Sequence, residues 1–69
     1  RVNSISPGLT NTDMMKKSTN KDYLENIVKI IPLKRIGEPI DISNFVLFLV
    51  SDLSNYITGQ DFRIDGGLL

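Results

Sequence analysis

The chain has 69 residues, 41% of them hydrophobic, and its eight basic and eight acidic residues cancel at neutral pH. It contains neither cysteine nor histidine, which excludes disulfides, thiolate and imidazole metal sites, and any Ser-His-Asp or Cys-His constellation within these residues. A balanced charge does not suit a nucleic-acid-binding face, and the longest apolar run, Phe45 to Val50, is far shorter than the roughly twenty residues of a membrane span.

The charge is unevenly spread. Residues 1–38 hold seven basic and four acidic groups, and residues 39–69 hold one and four. A chain this short buries only about 60% of its unfolded surface and here lacks the usual staples. It starts at Arg1 with no secretory signal, which reads as a piece of something longer. The missing cysteines suit a cytoplasmic protein.

Val2 to Ser6 reads as a short strand closed by Pro7-Gly8. Pro7 has no N–H to give a ladder and belongs at a strand end, while Gly8 permits positive φ or the close approach of another group. Asn3, Ser4 and Ser6 need polar partners if this strand lies inside a sheet. Thr12 suits the N-cap of a short helix over Asp13 to Lys17, with an acid in its first turn. Ser18-Thr19-Asn20 breaks that turn, and Thr19 or Asn20 caps a second helix over Lys21 to Ile30. Leu24, Ile27, Val28 and Ile31 fall at i, i+3, i+4 and i+7 and form one apolar face. Lys21–Glu25 and Glu25–Lys29 are spaced for helical ion pairs of about 0.2–0.5 kcal/mol each. Pro32 ends the helix by driving Ile31 out of the α region.

The stretch PLKRIGEP, residues 32–39, is a turn-rich connection. Its Lys34-Arg35 pair, like Lys16-Lys17, reads as solvated charge. Pro39 and Asp41 suit the first turn of a third helix over 39–51. Its stripe is Ile42, Phe45, Val46, Leu49 and Leu53. Phe45 to Val50 is apolar on nearly every face, which predicts burial on more than one side. Ser51 to Asn55 reads as a terminating loop. Phe62 and Ile64 alternate with Arg63 and Asp65 in a half-buried strand over 61–65, ended by Gly66-Gly67. The order is β-α-α-α-β, and a helical crossover makes the two strands parallel. Two strands are too few to be a sheet by themselves.

Four segments in this order, RVNSISPG (1–8), TDM (12–14), PLKRIGEPIDISNFVLFLVSD (32–52) and YITGQDFRIDGG (56–67), carry a resemblance. The chain resembles the C-terminal third of a short-chain dehydrogenase/reductase, close to the 3-oxoacyl-[acyl-carrier-protein] reductase type. The resemblance implies an α/β fold, the C-terminal part of a Rossmann-type doubly wound parallel sheet. Residues 1–69 would then be one segment of a single domain: strand and Pro-Gly turn 1–8, substrate lid 10–31, helix 39–52, last strand 61–65. It implies NAD or NADP as cofactor. Pro7 and Gly8 would lie beside the nicotinamide, the Thr10 backbone on the carboxamide, and the Thr12 hydroxyl on the carboxamide or pyrophosphate. Met14 and Met15 would adapt to substrate from the lid. The implied reaction moves a hydride between nicotinamide and a small-molecule carbonyl or secondary alcohol, with a 3-oxoacyl thioester among the substrates. The last helix and strand would join a second subunit in a homodimer or homotetramer.

Each residue also has a plainer reading. Pro7-Gly8 is a turn, Thr12 is an N-cap (the two Thr12 roles are compatible), and Met14 and Met15 pack the lid. Asn3 is a hydrogen-bonded structural group, and Asp65 with its glycines finishes a strand. The Lys16-Lys17 and Lys34-Arg35 pairs are solvated, or they receive an acidic carrier protein or a phosphorylated thioester. The departures from the family pattern are sharper. Its Ser and Tyr-x-x-x-Lys are missing, since Tyr23 is followed four residues on by Ile27 and Tyr56 by Gln60. Its glycine-rich cofactor loop is missing too, and Thr58-Gly59 does not supply one. No catalytic and no metal-binding residue is assigned, and these residues alone are expected to be inactive and poorly folded. A non-catalytic binding protein of the same fold and a stand-alone helical interaction module are the rival readings. The related enoyl reductase branch ranks lower, because it departs from the Pro-Gly-x-x-x-Thr-Asp-Met pattern at 7–14.

Overall fold

The computed structural model describes residues 1–18 and 20–69. Strand β1 (Ser4–Pro7) is followed by helices α1 (Asp13–Ser18), α2 (Lys21–Ile30) and α3 (Pro39–Val50), a 3-10 turn (Asp52–Ser54) and strand β2 (Asp61–Ile64). The two strands pair in parallel with Ser4 opposite Asp61 and Pro7 opposite Ile64, so the α/β order with a helical crossover expected from the sequence is the observed one.

The first strand begins at Ser4 rather than Val2 because Asn3 interrupts the ladder. Its side chain accepts from the Gln60 N–H at 3.0 Å and donates to the Ile57 carbonyl at 3.3 Å. The serines find their partner across the strands: Ser4 Oγ donates to Asp61 at 2.6 Å and Ser6 Oγ to both Asp61 oxygens at 3.0 Å. The polar side chains of β1 are thus satisfied on one face, and Ile5 and Phe62 are left half-buried on the other. The Ser4 hydroxyl first, and Ser6 after it, hold the Asp61 carboxyl below the usual carboxylate range.

The helices follow their local signals. Asn20 Oδ1 accepts from the Tyr23 N–H at 2.7 Å and is the N-cap of α2; Thr19, the other candidate, lies outside the described residues. Ile31 leaves the helix with ψ 122° ahead of Pro32. The expected Lys21–Glu25 and Glu25–Lys29 pairs do not form; among the described residues the ion pair is Arg35–Asp41. Helix α3 stops one residue early at Val50, where Ser51 turns extended and its hydroxyl accepts from the Leu53 N–H at 3.2 Å. Ser51 to Asn55 is therefore a capped 3-10 turn rather than a plain loop.

Helix α3 packs on β2 through Phe45, whose ring centroid lies 5.0 Å from Phe62 and 5.8 Å from Phe48. The expected burial on more than one side is not met, and no α3 residue is buried. Leu47 is 65% and Val50 73% exposed. Leu53, assigned to the apolar stripe, is exposed as well. Among the described residues, the buried side chains are Met15, Ile31 and Ser54. Arg1 ties the start of β1 to the far end of α3. Its guanidinium donates to the carbonyls of Leu49 (3.0 Å), Ser51 (3.3 Å) and Ile57 (2.9 Å). No helix among the described residues is long and apolar enough to cross a membrane.

The ends of the strands are held close. The Gly8 N–H donates to the Ile64 carbonyl at 2.9 Å, and a Cβ on Gly8 would lie 2.6 Å from Asp65 Cβ. β2 ends at Ile64, one residue before the expected limit. Asp65 then accepts from the N–H groups of Gly67 (2.9 Å) and Leu69 (3.2 Å), with Gly66 and Gly67 at φ 65° and 92°.

Two outcomes follow for the intact protein. Gly8→Ala will lower the denaturant midpoint by an amount equivalent to about 1–3 kcal/mol, the usual cost of overpacking. The depressed Asp61 carboxyl contributes stability that is complete above its unfolded pKa and is lost as pH falls through its lower folded value. Asp61→Asn will therefore flatten the loss of thermal stability on acidification below about pH 4.

Candidate functional site

Beyond β1 the chain turns away from the sheet at Gly8 and runs to the start of α1. Gly37 holds this turn by a parallel bridge opposite Thr10. The Gly37 N–H donates to the Leu9 carbonyl at 2.8 Å, and the Asn11 N–H donates to the Gly37 carbonyl at 2.8 Å. In such a bridge the bonds to Gly37 belong to the residues on either side of Thr10. The N–H and C=O of Thr10 itself therefore face the opposite way. The Thr10 carbonyl accepts from the Thr12 N–H at 2.9 Å, and its side chain donates to the Gly8 carbonyl at 3.1 Å.

Thr12 Oγ1 accepts from the Met15 N–H at 3.2 Å, so it caps α1 as its position suggested. A hydroxyl that accepts in this way keeps its own hydrogen to donate. Pro7, Thr10 and Thr12 line one open cavity, whose other wall is the start of α3 at Pro39, Ile42 and Val46. The four residues expected to meet the cofactor thus share one turn, but Gly8 does not line this cavity. The close approach that Gly8 permits within the chain is that of Asp65.

The two methionines part company. Met14 is 80% exposed, while Met15 is only 9% exposed and belongs to the buried set. The packing reading holds for Met15. Lys17 is exposed, as expected; the side chain of Lys16 lies outside the described residues.

The sequence reading missed what anchors the turn. Arg35, expected to be solvated charge, donates to the two Asp41 oxygens at 2.9 and 3.3 Å and to the Ile36 carbonyl at 3.2 Å. Asp41 also accepts from the Glu38 N–H at 2.7 Å. The hydrogen bond from Arg35, then that from Glu38, holds the Asp41 carboxyl below its usual range, and Arg35 is raised in turn. Glu38 is bonded by the Asn11 amide at 3.3 Å to each oxygen. Lys34 takes a left-handed conformation with φ 60° to begin this connection. The available signal was RIGEP itself, a glycine set between a guanidinium and a helix start. Among the described residues no group of three or more acidic, His or Cys side chains could hold a metal ion.

A parallel pair of strands joined by helices, with a polar turn at the carboxyl end of the first, is a βαβ unit of the kind that builds open α/β sheets. Comparison with known proteins agrees. A family model described as enoyl-(acyl carrier protein) reductase matches residues 1–69, and the chain belongs to that family, among the short-chain dehydrogenases/reductases. The 3-oxoacyl-[acyl-carrier-protein] reductase of Chlamydia trachomatis is 48% identical over 68 residues, which cover 99% of this chain and 27% of that protein. The crystal structure of a hydroxysteroid dehydrogenase from Escherichia coli matches with a TM-score of 0.94 at 35% identity, over 100% of this chain and 29% of that one. A 7α-hydroxysteroid dehydrogenase solved with NADH and 7-oxo glycochenodeoxycholic acid gives 0.93 at 36%, over 97% and 26%. The chain spans about a quarter of the length of the curated relatives it matches, from 21% to 28%.

Thr12→Ala will remove the α1 cap and cost about 1 kcal/mol. Hydrogen exchange at the Met15 amide will quicken accordingly, and Thr12→Ser will restore it.

Proposed function

We propose that the chain supplies the nicotinamide-side turn, substrate lid and an oligomer surface of an NAD(P)-dependent oxidoreductase. One observation carries this reading: the Gly37 bridge turns the Thr10 N–H and C=O outward together, beside the Thr12 hydroxyl. A primary carboxamide presents one acceptor oxygen and an NH2 donor, and one outward peptide unit of each kind matches it. The Thr10 carbonyl already receives the Thr12 N–H, but a carbonyl oxygen has a second lone pair to offer. The Thr12 hydroxyl adds a donor for the carboxamide or a pyrophosphate oxygen. The solved relative with bound NADH supports a nicotinamide cofactor.

The nicotinamide ring supplies the hydride chemistry when bound. The residues here orient and enclose. The Thr10 peptide and Thr12 hydroxyl fix the rotation of the carboxamide and hence which ring face meets the substrate. The lid over 10–31 presents exposed Met14, whose flexible thioether suits an apolar substrate, while Met15 secures α1. A carbonyl or secondary alcohol is the substrate class, and a 3-oxoacyl thioester is favoured by relatives of that name. The exposed Leu47 and Val50 of α3 suit the surface of a homodimer or homotetramer. No catalytic acid or base is assigned to these residues.

The test is an assay of the intact protein with NADH or NADPH and a panel of ketones and 3-oxoacyl thioesters. The expected result is substrate-dependent loss of reduced-nicotinamide absorbance. Thr12→Ala will raise the KM for the cofactor roughly 2- to 10-fold, the value of one hydrogen bond, and Thr12→Ser will spare it. Absence of binding by both cofactors overturns the reading. Binding without turnover on any substrate would leave a non-catalytic nucleotide-binding protein in its place.

A further inference from the structure

We propose that Arg35 and Asp41 are positioning residues for the nicotinamide carboxamide, acting through Gly37 on the Thr10 peptide. This rests on the reading of Thr10 given above. Leu9 to Asn11 leave the sheet, and among the described residues their hydrogen bonds to the remainder of the chain beyond Thr12 all run to Gly37 and Glu38. Both backbone bonds of the bridge end on the single residue Gly37. The direction of the outward Thr10 N–H and C=O therefore follows where Gly37 stands, with the local bonds of Thr10 to Gly8 and Thr12 holding the turn itself.

Gly37 itself has no side chain to anchor it. Its neighbours do that work, and one carboxylate holds both. Asp41 takes the Arg35 guanidinium on the near side of Gly37 and the Glu38 N–H on the far side. Arg35 also grips the Ile36 carbonyl, one residue before Gly37. The four residues 35–38 are thus folded around Asp41, which is fixed in the first turn of α3. The pair engages both carboxylate oxygens, a fork geometry that a lysine ammonium cannot reproduce.

The pair is solvent-accessible, with the Arg35 side chain 54% exposed. Exposed ion pairs contribute little to global stability, so the geometry of this strut can change while the fold persists. Small displacements of a positioning group are costly to a bound reactant all the same. A Cβ on Gly37 would meet nothing closer than the Leu9 carbonyl at 3.5 Å, so the strut bears on Gly37 through its backbone neighbours rather than through side-chain packing.

The experiment uses the intact protein and three ligands: NAD(P)H, the 3-acetylpyridine analogue that lacks the amide NH2, and ADP-ribose, which lacks the nicotinamide. Dissociation constants are measured for the parent protein, Arg35→Ala, Arg35→Lys and Asp41→Asn, with thermal midpoints alongside. The parent protein is expected to prefer the carboxamide cofactor over the acetylpyridine analogue. Arg35→Ala is expected to erase most of that preference, weakening the carboxamide cofactor roughly 3- to 10-fold with ADP-ribose affinity unchanged. Arg35→Lys should not rescue it. Equal weakening of all three ligands, or a fall in thermal midpoint with the preference intact, would make the pair merely structural and overturn the proposal while the Thr10 reading stands. If the parent protein binds NAD(P)H but shows no preference between the two dinucleotides, the Thr10 reading itself fails, and this proposal with it. Should Arg35→Ala not fold, Asp41→Asn, which keeps the shape of the side chain, decides by the same comparison.

Discussion

Everything in this chain depends on the parallel pairing of two strands whose partner residues Ser4 and Asp61 stand 57 positions apart. A hairpin cannot join parallel strands, so the intervening residues must cross over and return to the starting end. The three helices lie within that crossover. It also brings the carboxyl ends of both strands to one edge, where Pro7-Gly8 and Ile64-Asp65 emerge side by side. Open α/β sheets bind their ligands at that edge. Gly8 is the residue that pays for the closeness, since Asp65 occupies the volume a side chain would need.

The pairing also explains an otherwise awkward strand. Ser4 and Ser6 would be poor strand residues on an exposed face, but Asp61 collects both hydroxyls. Asn3 substitutes its amide for a backbone partner where the ladder is not yet regular. Polarity on one face and Ile5 with Phe62 on the other give the sheet a direction, with α3 seated on the apolar side through Phe45. The same helix keeps Leu47 and Val50 uncovered. Its composition, apolar nearly all round, describes surroundings larger than these residues provide.

Where signals were local, the sequence was a sound guide. Asn20 before a 3.6-residue repeat and Pro32 after it bound α2 at Lys21 and Ile30. Thr12, three residues ahead of Met15, was a legible cap. Where a contact joined distant residues, nothing in the local pattern announced it. Gly37 reaches back to Leu9 and Asn11, and neither stretch is strand-like enough to suggest pairing. Arg35 reads as one more exposed cation because its acceptor lies six residues on, across a turn that no local pattern specifies. The Lys21–Glu25–Lys29 spacing misled in the opposite direction: correct spacing permits an ion pair, and solvent competes successfully for the charges. The wider fold was readable through four family-like segments in order, since length and periodicity alone give only β-α-α-α-β.

Arg1 has a consequence for how the molecule could change over time. Its guanidinium is shared by carbonyls of Leu49, Ser51 and Ile57, which gather the exit of α3 and the return toward β2 around one planar group. Surface connections ordinarily tolerate inserted residues. This one does not have that latitude, because one extra residue between Ser51 and Ile57 shifts the last carbonyl by up to about 3.8 Å, beyond reach of the fork. Length variation among descendants of this chain is therefore expected elsewhere, while the connection from Ser51 to Ile57 keeps its count of residues.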